Sequence, residues 1–341
     1  MTGIKVGLIG AGRIGRLHAA NLAHRVPGGE VVAVADVHLE SAEQCAQEIG
    51  VRRVFKETSQ VFDDPSIDAV VICSSTDTHA SLIIDSARAG KHIFCEKPIA
   101  LDLAEIERAL REVEQAGVAL QIGFNRRFDP SFRHAQERVS HGAIGKPHVL
   151  RITSRDPEPP PISYVKVSGG IFLDMTIHDF DMARYIMQEE VEEVFATGSA
   201  LVDMRILEAG DVDTAAIMLR FAGGAIGVID NSRKAVYGYD QRLEVFGEGG
   251  KVVVRNPKPE TTVLSDVAGD HSSPLMHFFL ERYADSYVAE MASFIECISS
   301  GTAPSVSGQD GKMAVVIGYA AKRAYEEHRP VRLDEIDPHL G

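Results

Sequence analysis

Cysteine is scarce in this chain and is not spaced for chemistry. Cys45, Cys73, Cys95 and Cys297 form no CxxC pair, and no cluster of His and Cys has the spacing of zinc ligands. No metal is expected. Reduced, buried thiols are expected instead, with Cys73 and Cys95 at the ends of strand-like runs. Long hydrophobic runs are missing too. No apolar stretch approaches the roughly 20 residues of a membrane span. The first residues lead into a strand-like segment rather than a signal peptide. A reducing compartment, the cytoplasm, is the expected location, with no membrane partner. Basic residues are outnumbered, with 35 Lys and Arg against 49 Asp and Glu, for a net charge of −14. They are also scattered, which argues against a nucleic-acid partner. Repeats and low-complexity segments are absent. What is present is 341 residues, 45% of them hydrophobic, enough for two domains with sizeable cores.

The first half reads as a dinucleotide-binding domain. Ile4 to Ile9 is a short apolar run suited to a strand buried on both faces. Gly10-Ala11-Gly12-Arg13-Ile14-Gly15 follows at once and matches G-x-G-x-x-G. Gly10 permits a tight turn, Gly12 a close approach of the backbone to a pyrophosphate, and Gly15 close packing of helix on strand. The N-terminus of the next helix offers unpaired N–H groups to phosphate. A second strand, Val31 to Ala35, ends in Asp36, about twenty residues beyond the glycines, where a ribose-binding acid is expected. A carboxylate there accepts from a ribose diol and repels a 2′-phosphate. Val37, His38, Leu39 and Glu40 follow without an arginine, which favours NAD over NADP.

The alternation then continues. Strands are expected at Arg53–Phe55, Asp68–Cys73, Lys91–Cys95 and Val118–Ile122, with helices over Ser41–Ile49, His79–Ala89 and Asp102–Ala116. This is the pattern of an α/β Rossmann domain, a doubly wound parallel sheet, over residues 1–123. Ligands of such sheets bind beyond the carboxyl ends of the strands. The polar residues cluster there. Cofactor contacts are expected from Gly10, Ala11, Gly12, Arg13 and Ile14, from Asp36, and from Ser74, Ser75, Thr76 and His79. Glu96, Lys97 and Arg126 complete the set. Lys97 ends its strand and is restricted to extended geometry by Pro98. A lysine there can hold a substrate hydroxyl and stabilise an alkoxide. Taken alone, it could equally be a solvated surface lysine.

Residues 124–341 change pattern. A helix over Pro130–Val139 and a strand over Pro147–Ser154 precede the proline-rich run Asp156-Pro157-Glu158-Pro159-Pro160-Pro161. Long alternating strands follow at Val191–Val202, Thr214–Phe221, Ala225–Ser232, Gln241–Gly247 and Lys251–Val254. Helices over Phe279–Ser299 and Gly308–His328 close the chain. An α+β domain with a large, mostly antiparallel sheet is expected. Its helices are too few to cover both faces, so one face is left for oligomerisation. Between these elements Gly169-Gly170 opens a helix-like stretch that carries Asp174 and His178 four residues apart, on one helical face. Histidine titrates nearest neutrality, so the pair suits general acid/base work. The spacing alone also fits a buried histidine satisfied by a carboxylate, or a surface ion pair.

Taken together, Gly10–Gly15, Glu96-Lys97-Pro98, Gln121–Asp129, Gly169–Asp181 and Tyr237-Gly238-Tyr239-Asp240 make the chain resemble the Gfo/Idh/MocA oxidoreductase family over nearly its whole length, and in particular its inositol branch. The resemblance implies an NAD-dependent oxidoreductase acting on CH–OH, converting myo-inositol to 2-keto-myo-inositol. It implies Lys97, Asp174 and His178 as the catalytic set, which would also touch the substrate. His178 would take the hydroxyl proton, Asp174 would orient it, and Lys97 would hold the reacting oxygen. Arg127, Asp156 and Tyr237 would grip other hydroxyls, although Asp156 is also readable as a loop residue and Tyr237 as a sheet-surface aromatic. A homotetramer is implied. Dehydrogenases of scyllo-inositol, chiro-inositol or glucose share the same set, and a non-catalytic NAD-binding sensor is the alternative of another class. Asp36 generates the first prediction. The kcat/KM with NAD should exceed that with NADP by a large factor, and Asp36→Ala should narrow the gap. Comparable values for the two cofactors in the wild type would contradict the assignment.

Overall fold

The computed structural model describes residues 3–340. The chain divides into two compact units. One holds the residues up to Phe128 together with Asp285–Val315, and the other Asp129–Ala284 together with the residues from Val316 on.

The first unit is built on six parallel strands: β1 (Ile4–Ile9), β2 (Gly29–Ala35), β3 (Val54–Phe55), β4 (Ala69–Ile72), β5 (His92–Glu96) and β6 (Leu120–Gly123), in the order β3-β2-β1-β4-β5-β6. The order reverses between β1 and β4, which makes their carboxyl ends the switch point of a doubly wound sheet. Val6 and Leu8 of β1 and all of β4 are buried, as a sheet covered on both faces requires. Helices Arg13–His24, Leu39–Ile49, Thr76–Arg88 and Leu103–Ala116 alternate with the strands. The last is capped by Asp102, which accepts from the N–H groups of Ala104 and Glu105. The helix Ala284–Ser300 also belongs here. Its Met291, Phe294 and Ile295 pack with Val6, Leu8, Leu22 and Phe94 in one core.

The second unit is a seven-stranded mixed sheet. Its strands are β7 (Pro147–Arg155), β8 (Val191–Ser199), β9 (Thr214–Phe221), β10 (Ile226–Ser232), β11 (Asp240–Gly247) and β12 (Gly250–Val254). A separate exposed hairpin, β13 (Val263–Asp266) and β14 (Gly269–Ser272), intervenes before the edge strand β15 (Val331–Arg332). The order is β12-β11-β7-β10-β9-β8-β15. β7 and β10 run parallel and the other pairs antiparallel. Alternate residues are buried along β9 and β11, so one face is core. The other face carries exposed Met218, Ile226 and Phe246.

Several expectations are corrected in detail. The strand expected to Val202 ends at Ser199, and Met204–Glu208 is a short helix capped by Asp203. The helix expected over Phe279–Ser299 is interrupted at Tyr283, between Phe279–Arg282 and Ala284–Ser300. The proline run leads into a helical turn, Ile162–Val165, where the chain leaves its last proline in extended geometry. The single helix expected to carry Asp174 and His178 is two, Gly170–Asp174 and Ile177–Met187, broken at Met175 and Thr176. Hydrogen bonds explain that break. The Thr176 N–H and hydroxyl both donate to the carbonyl of Ile171, closing the first helix.

Candidate active site

In the first unit the glycine loop is shaped as the motif requires. Gly10 has φ +94°, and a Cβ there would lie 2.6 Å from the backbone of Cys73 and Ser74. A Cβ on Gly15 would lie 1.9 Å from the carbonyl oxygen of Gly10, so helix and strand can pack this closely only on glycine. Gly12 faces open space and caps the helix Arg13–His24 without a side-chain bond. The first N–H groups of a helix have no acceptor within it, and phosphate fits such an end. Asp36 accepts from the N–H of Ala11 at 2.7 Å and of His38 at 2.8 Å. The acid therefore holds the loop in shape, and each of its oxygens retains a lone pair for a ribose hydroxyl.

The other strand ends are knitted together. The Ser74 and Thr78 hydroxyls are 2.6 Å apart. His79 is buried, with Nδ1 2.8 Å from the carbonyl oxygen of Pro98 and Nε2 3.1 Å from that of Ser74, so it ties the β4 end to the β5 end. Glu96 ends β5 with Oε1 2.7 Å from Nε2 of His18. Lys97 follows, half-buried, and its bond to Pro98 is cis. Arg126 and Arg127 are buried in the turn Asn125–Phe128 after β6. Arg127 lies 3.0 Å from Asp310. Burial opposes the charge on Asp310, but Arg127 and the Ser307 N–H and hydroxyl outweigh it and hold the carboxyl down to about 2. Arg127 is thus a buried ion-pair partner, a role the sequence did not signal.

In the second unit, Asp174 and His178 are set apart from their neighbours. Between Ile171 and Phe180 every other residue is buried. The Asp174 carboxylate accepts from the Tyr164 hydroxyl at 2.9 Å and from both terminal nitrogens of Arg233 at 3.3 Å. Arg233 is 1% exposed. Its second acid, Asp211, lies 3.9 Å away and accepts from the Ile171 N–H at the start of the helix. Burial pushes Asp211 up, and burial with the Asp174 charge pushes the Tyr164 phenol up, so Tyr164 is a neutral donor. His178 is placed by the residues around it. The one Thr176 hydroxyl proton is shared between the Ile171 carbonyl and the side-chain oxygen of Asn231 on β10, 2.6 Å away, and the Asn231 amide donates to Asp179 at 2.8 Å and to the Ser154 carbonyl at 3.3 Å. The first turn of Ile177–Met187 is pinned to the sheet on either side of His178.

Asp156 directly follows β7 and exchanges backbone bonds with Ser232 and Ala235. The Tyr237 hydroxyl accepts from Arg155 at 3.0 Å and donates to Asp240 at 2.8 Å. Sequence reasoning missed Tyr164, Asp211, Asn231 and Arg233. The double glycine before Asp174 was visible, but the partners lie 10 to 59 residues away and share no local pattern. The four cysteines are free, and burial pushes the Cys45 thiol up to about 11.

Residues 4–124 match the model of an oxidoreductase family with an NAD-binding Rossmann fold, and residues 132–253 match the GFO/IDH/MocA C-terminal domain. The chain is 56% identical to myo-inositol 2-dehydrogenase of Thermotoga maritima over 98% of this chain and 99% of that one. The chain belongs to the Gfo/Idh/MocA oxidoreductase family. A crystal structure of a putative myo-inositol dehydrogenase from Sinorhizobium meliloti is similar at a TM-score of 0.93 and 44% identity, over 97% of this chain and 99% of that one. So is a scyllo-inositol dehydrogenase from Lactobacillus casei with bound NAD(H) and scyllo-inositol, at 0.91 and 30%, over 97% and 99%. Residues 4–124 are therefore the NAD-binding domain of a Gfo/Idh/MocA oxidoreductase.

The pinning of His178 has a measurable consequence. Asn231→Leu leaves the buried Thr176 hydroxyl and Asp179 carboxylate without their shared partner. It should destabilise the protein by about 1–3 kcal/mol, the scale of a stranded buried polar group. Urea unfolding checks this, and an unchanged midpoint would remove Asn231 from the account.

Proposed function

We propose that this chain catalyses NAD-dependent oxidation of myo-inositol to 2-keto-myo-inositol. The likeness to the Thermotoga maritima myo-inositol 2-dehydrogenase across almost all of both chains carries the reading. Bound NAD supplies the hydride acceptor, C4 of its nicotinamide. Gly10, Ala11, Gly12, Arg13 and Ile14 hold the pyrophosphate and Asp36 the ribose, with Ser74, Ser75, Thr76, His79, Glu96 and Arg126 along the same edge. His178 removes the hydroxyl proton. Asp174, which lies 3.3 Å from Arg233, orients His178 and accepts from a neighbouring hydroxyl. Lys97 holds the reacting oxygen as it gains negative charge. Arg127, Asp156 and Tyr237 take the remaining hydroxyls. In this division residues 1–123 serve the cofactor, apart from Lys97, and residues 124–341, apart from Arg126, serve the substrate and the subunit contacts. The likeness to a scyllo-inositol dehydrogenase makes that epimer the second substrate to assay. A non-catalytic NAD sensor would turn over neither.

His178→Ala should lower kcat with myo-inositol by about a hundredfold or more, the scale of a lost positioned base. Affinity for NAD should change little, because its contacts lie elsewhere. In the wild type, oxidation should quicken with pH as the imidazole loses its proton, then level off. Asp174→Asn should be less harmful, and Lys97→Ala should impair turnover without unfolding. A His178→Ala enzyme with normal turnover and an unchanged pH profile would show that the base is elsewhere.

The assembly is proposed to be a cytoplasmic homotetramer. No helix among the described residues is long and apolar enough to cross a membrane. On the outer sheet face, Phe246 and Ile226 both pair with Val149, and Met218 pairs with Val228. These apolar side chains alternate on that face with Arg151, Arg220 and Glu244 and with the Arg155–Asp230 ion pair, a mixed surface suited to a second copy of itself. Light scattering should give four times the 37.0 kDa chain mass. Phe246→Glu should yield smaller species, and a wild-type monomer at micromolar concentration would overturn the assignment.

A further inference from the structure

Beside the end of β5, inside the first unit, three ionisable side chains meet out of solvent. His18 on Arg13–His24 and Glu290 on Ala284–Ser300 are both fully buried. Glu96, the third, has a side chain 17% exposed. One oxygen of each glutamate and one ring nitrogen of His18 lie within 4.8 Å of one another. His18 Nε2 is already bonded to Glu96, whereas its Nδ1 and both Glu290 oxygens have no hydrogen-bond partner. The surroundings offer no relief to a charge. The rings of Phe94 and Tyr287 stand edge-on to His18. Gln121 donates to the backbone carbonyl of Glu290 rather than to its carboxyl group. The thiol of Cys73, just after β4, lies within the field of both glutamates and that of Cys95 on β5 within the field of Glu96, and burial holds both thiols neutral. Glu96 is packed against bare backbone, since a Cβ on Gly123 would lie 2.8 Å from its Oε2. Two carboxylates this close in so dry a place cannot both stay charged.

We propose that Glu290 is a neutral carboxylic acid in the folded protein and that, with His18, it positions Glu96 and thereby Lys97, the next residue. Burial, then the charge of Glu96, favours that protonated form. An anionic Glu290 would repel Glu96 away from His18 and shift the peptide that carries Lys97. Glu290 and His18 act through Glu96 and touch no reacting atom, so they are positioning residues. The link to turnover rests on the role proposed above for Lys97.

Glu290→Gln tests the protonation without turnover. A group whose proton is held more tightly in the folded chain loses stability as pH rises above its unfolded pKa, about 4.3, by up to tenfold in the folding equilibrium per pH unit. The amide has no proton to lose. The thermal midpoint of the Gln variant, at fixed protein concentration and without ligands, should therefore gain on wild type steadily from pH 5 to pH 8. Parallel curves would mean that Glu290 is ionised, and would overturn the proposal. So would a stoichiometric divalent metal that survives dialysis in wild type and is absent from the variant. For positioning, His18→Leu should lower kcat at least tenfold, and His18→Gln, which keeps a donor for Glu96, should recover most of it. In a Lys97→Ala background neither His18 change should lower kcat further. A full additional loss there would break the link to Lys97, while the pH arm would still report on Glu290.

Discussion

A guanidinium buried as deeply as that of Arg233 imposes a requirement on everything around it. Removing such a charge from water costs several kcal/mol unless anions and hydrogen bonds replace the solvent. Arg233 meets this with Asp174 and Asp211, at 3.3 and 3.9 Å. Asp211 in turn accepts from the backbone of Ile171, so the cation, both acids and the start of Gly170–Asp174 form one connected structure. The interruption at Met175 and Thr176 belongs to the same structure. It allows Asp174 to end one helix, beside the guanidinium, while His178 begins the next, which Asn231 fixes to the sheet. An unbroken helix would give the two side chains one fixed relation. Two short helices let each be set by its own partners.

The first unit solves a different problem with fewer residues. The pyrophosphate contacts proposed for it come from backbone, so they depend on where side chains are missing. Gly10 and Gly15 let the loop close, and Gly12 leaves a helix end uncovered. Asp36 reaches back to the Ala11 N–H, so the acid suited to a ribose also stiffens the loop suited to the pyrophosphate. A charge change at Asp36 therefore also removes the acceptor that holds the Ala11 N–H, so it acts on the shape of the loop as well as on the proposed ribose contact.

These differences explain what could be read from the sequence. The parallel sheet, the glycine loop and Asp36 were legible because strand, turn and helix are adjacent in the chain and each leaves a local pattern. Asp174 and His178 were legible as a pair by spacing, and the second sheet by its alternation. The helix break was not, because its cause is a pair of bonds from Thr176 to Ile171 that any threonine could make or decline. Arg233, Asn231 and Tyr164 were not, because an arginine, asparagine or tyrosine looks the same in sequence whether it is solvated or buried against a distant acid. Nor did the apolar faces of Ala284–Ser300 reveal that their partners are the first strands of the chain.

Buried carboxylates of this chain reach opposite charge states, and the difference follows from what stands beside them. Asp310 is driven to the anion by Arg127 and by donors from Ser307, although burial resists this. Asp174 accepts from Arg233 and from the Tyr164 hydroxyl. Glu290 has a second carboxylate for a neighbour and no donor on either oxygen, so burial is unopposed and the proton stays. Low dielectric strengthens whichever neighbour is present. For Asp310 an arginine together with hydrogen-bond donors outweighs burial, whereas Asp211, 3.9 Å from Arg233, is still pushed up by burial. The second unit has an arginine beside Asp174, and among the described residues the first unit has none bonded to Glu290, where a second negative charge would push Glu96 out of place.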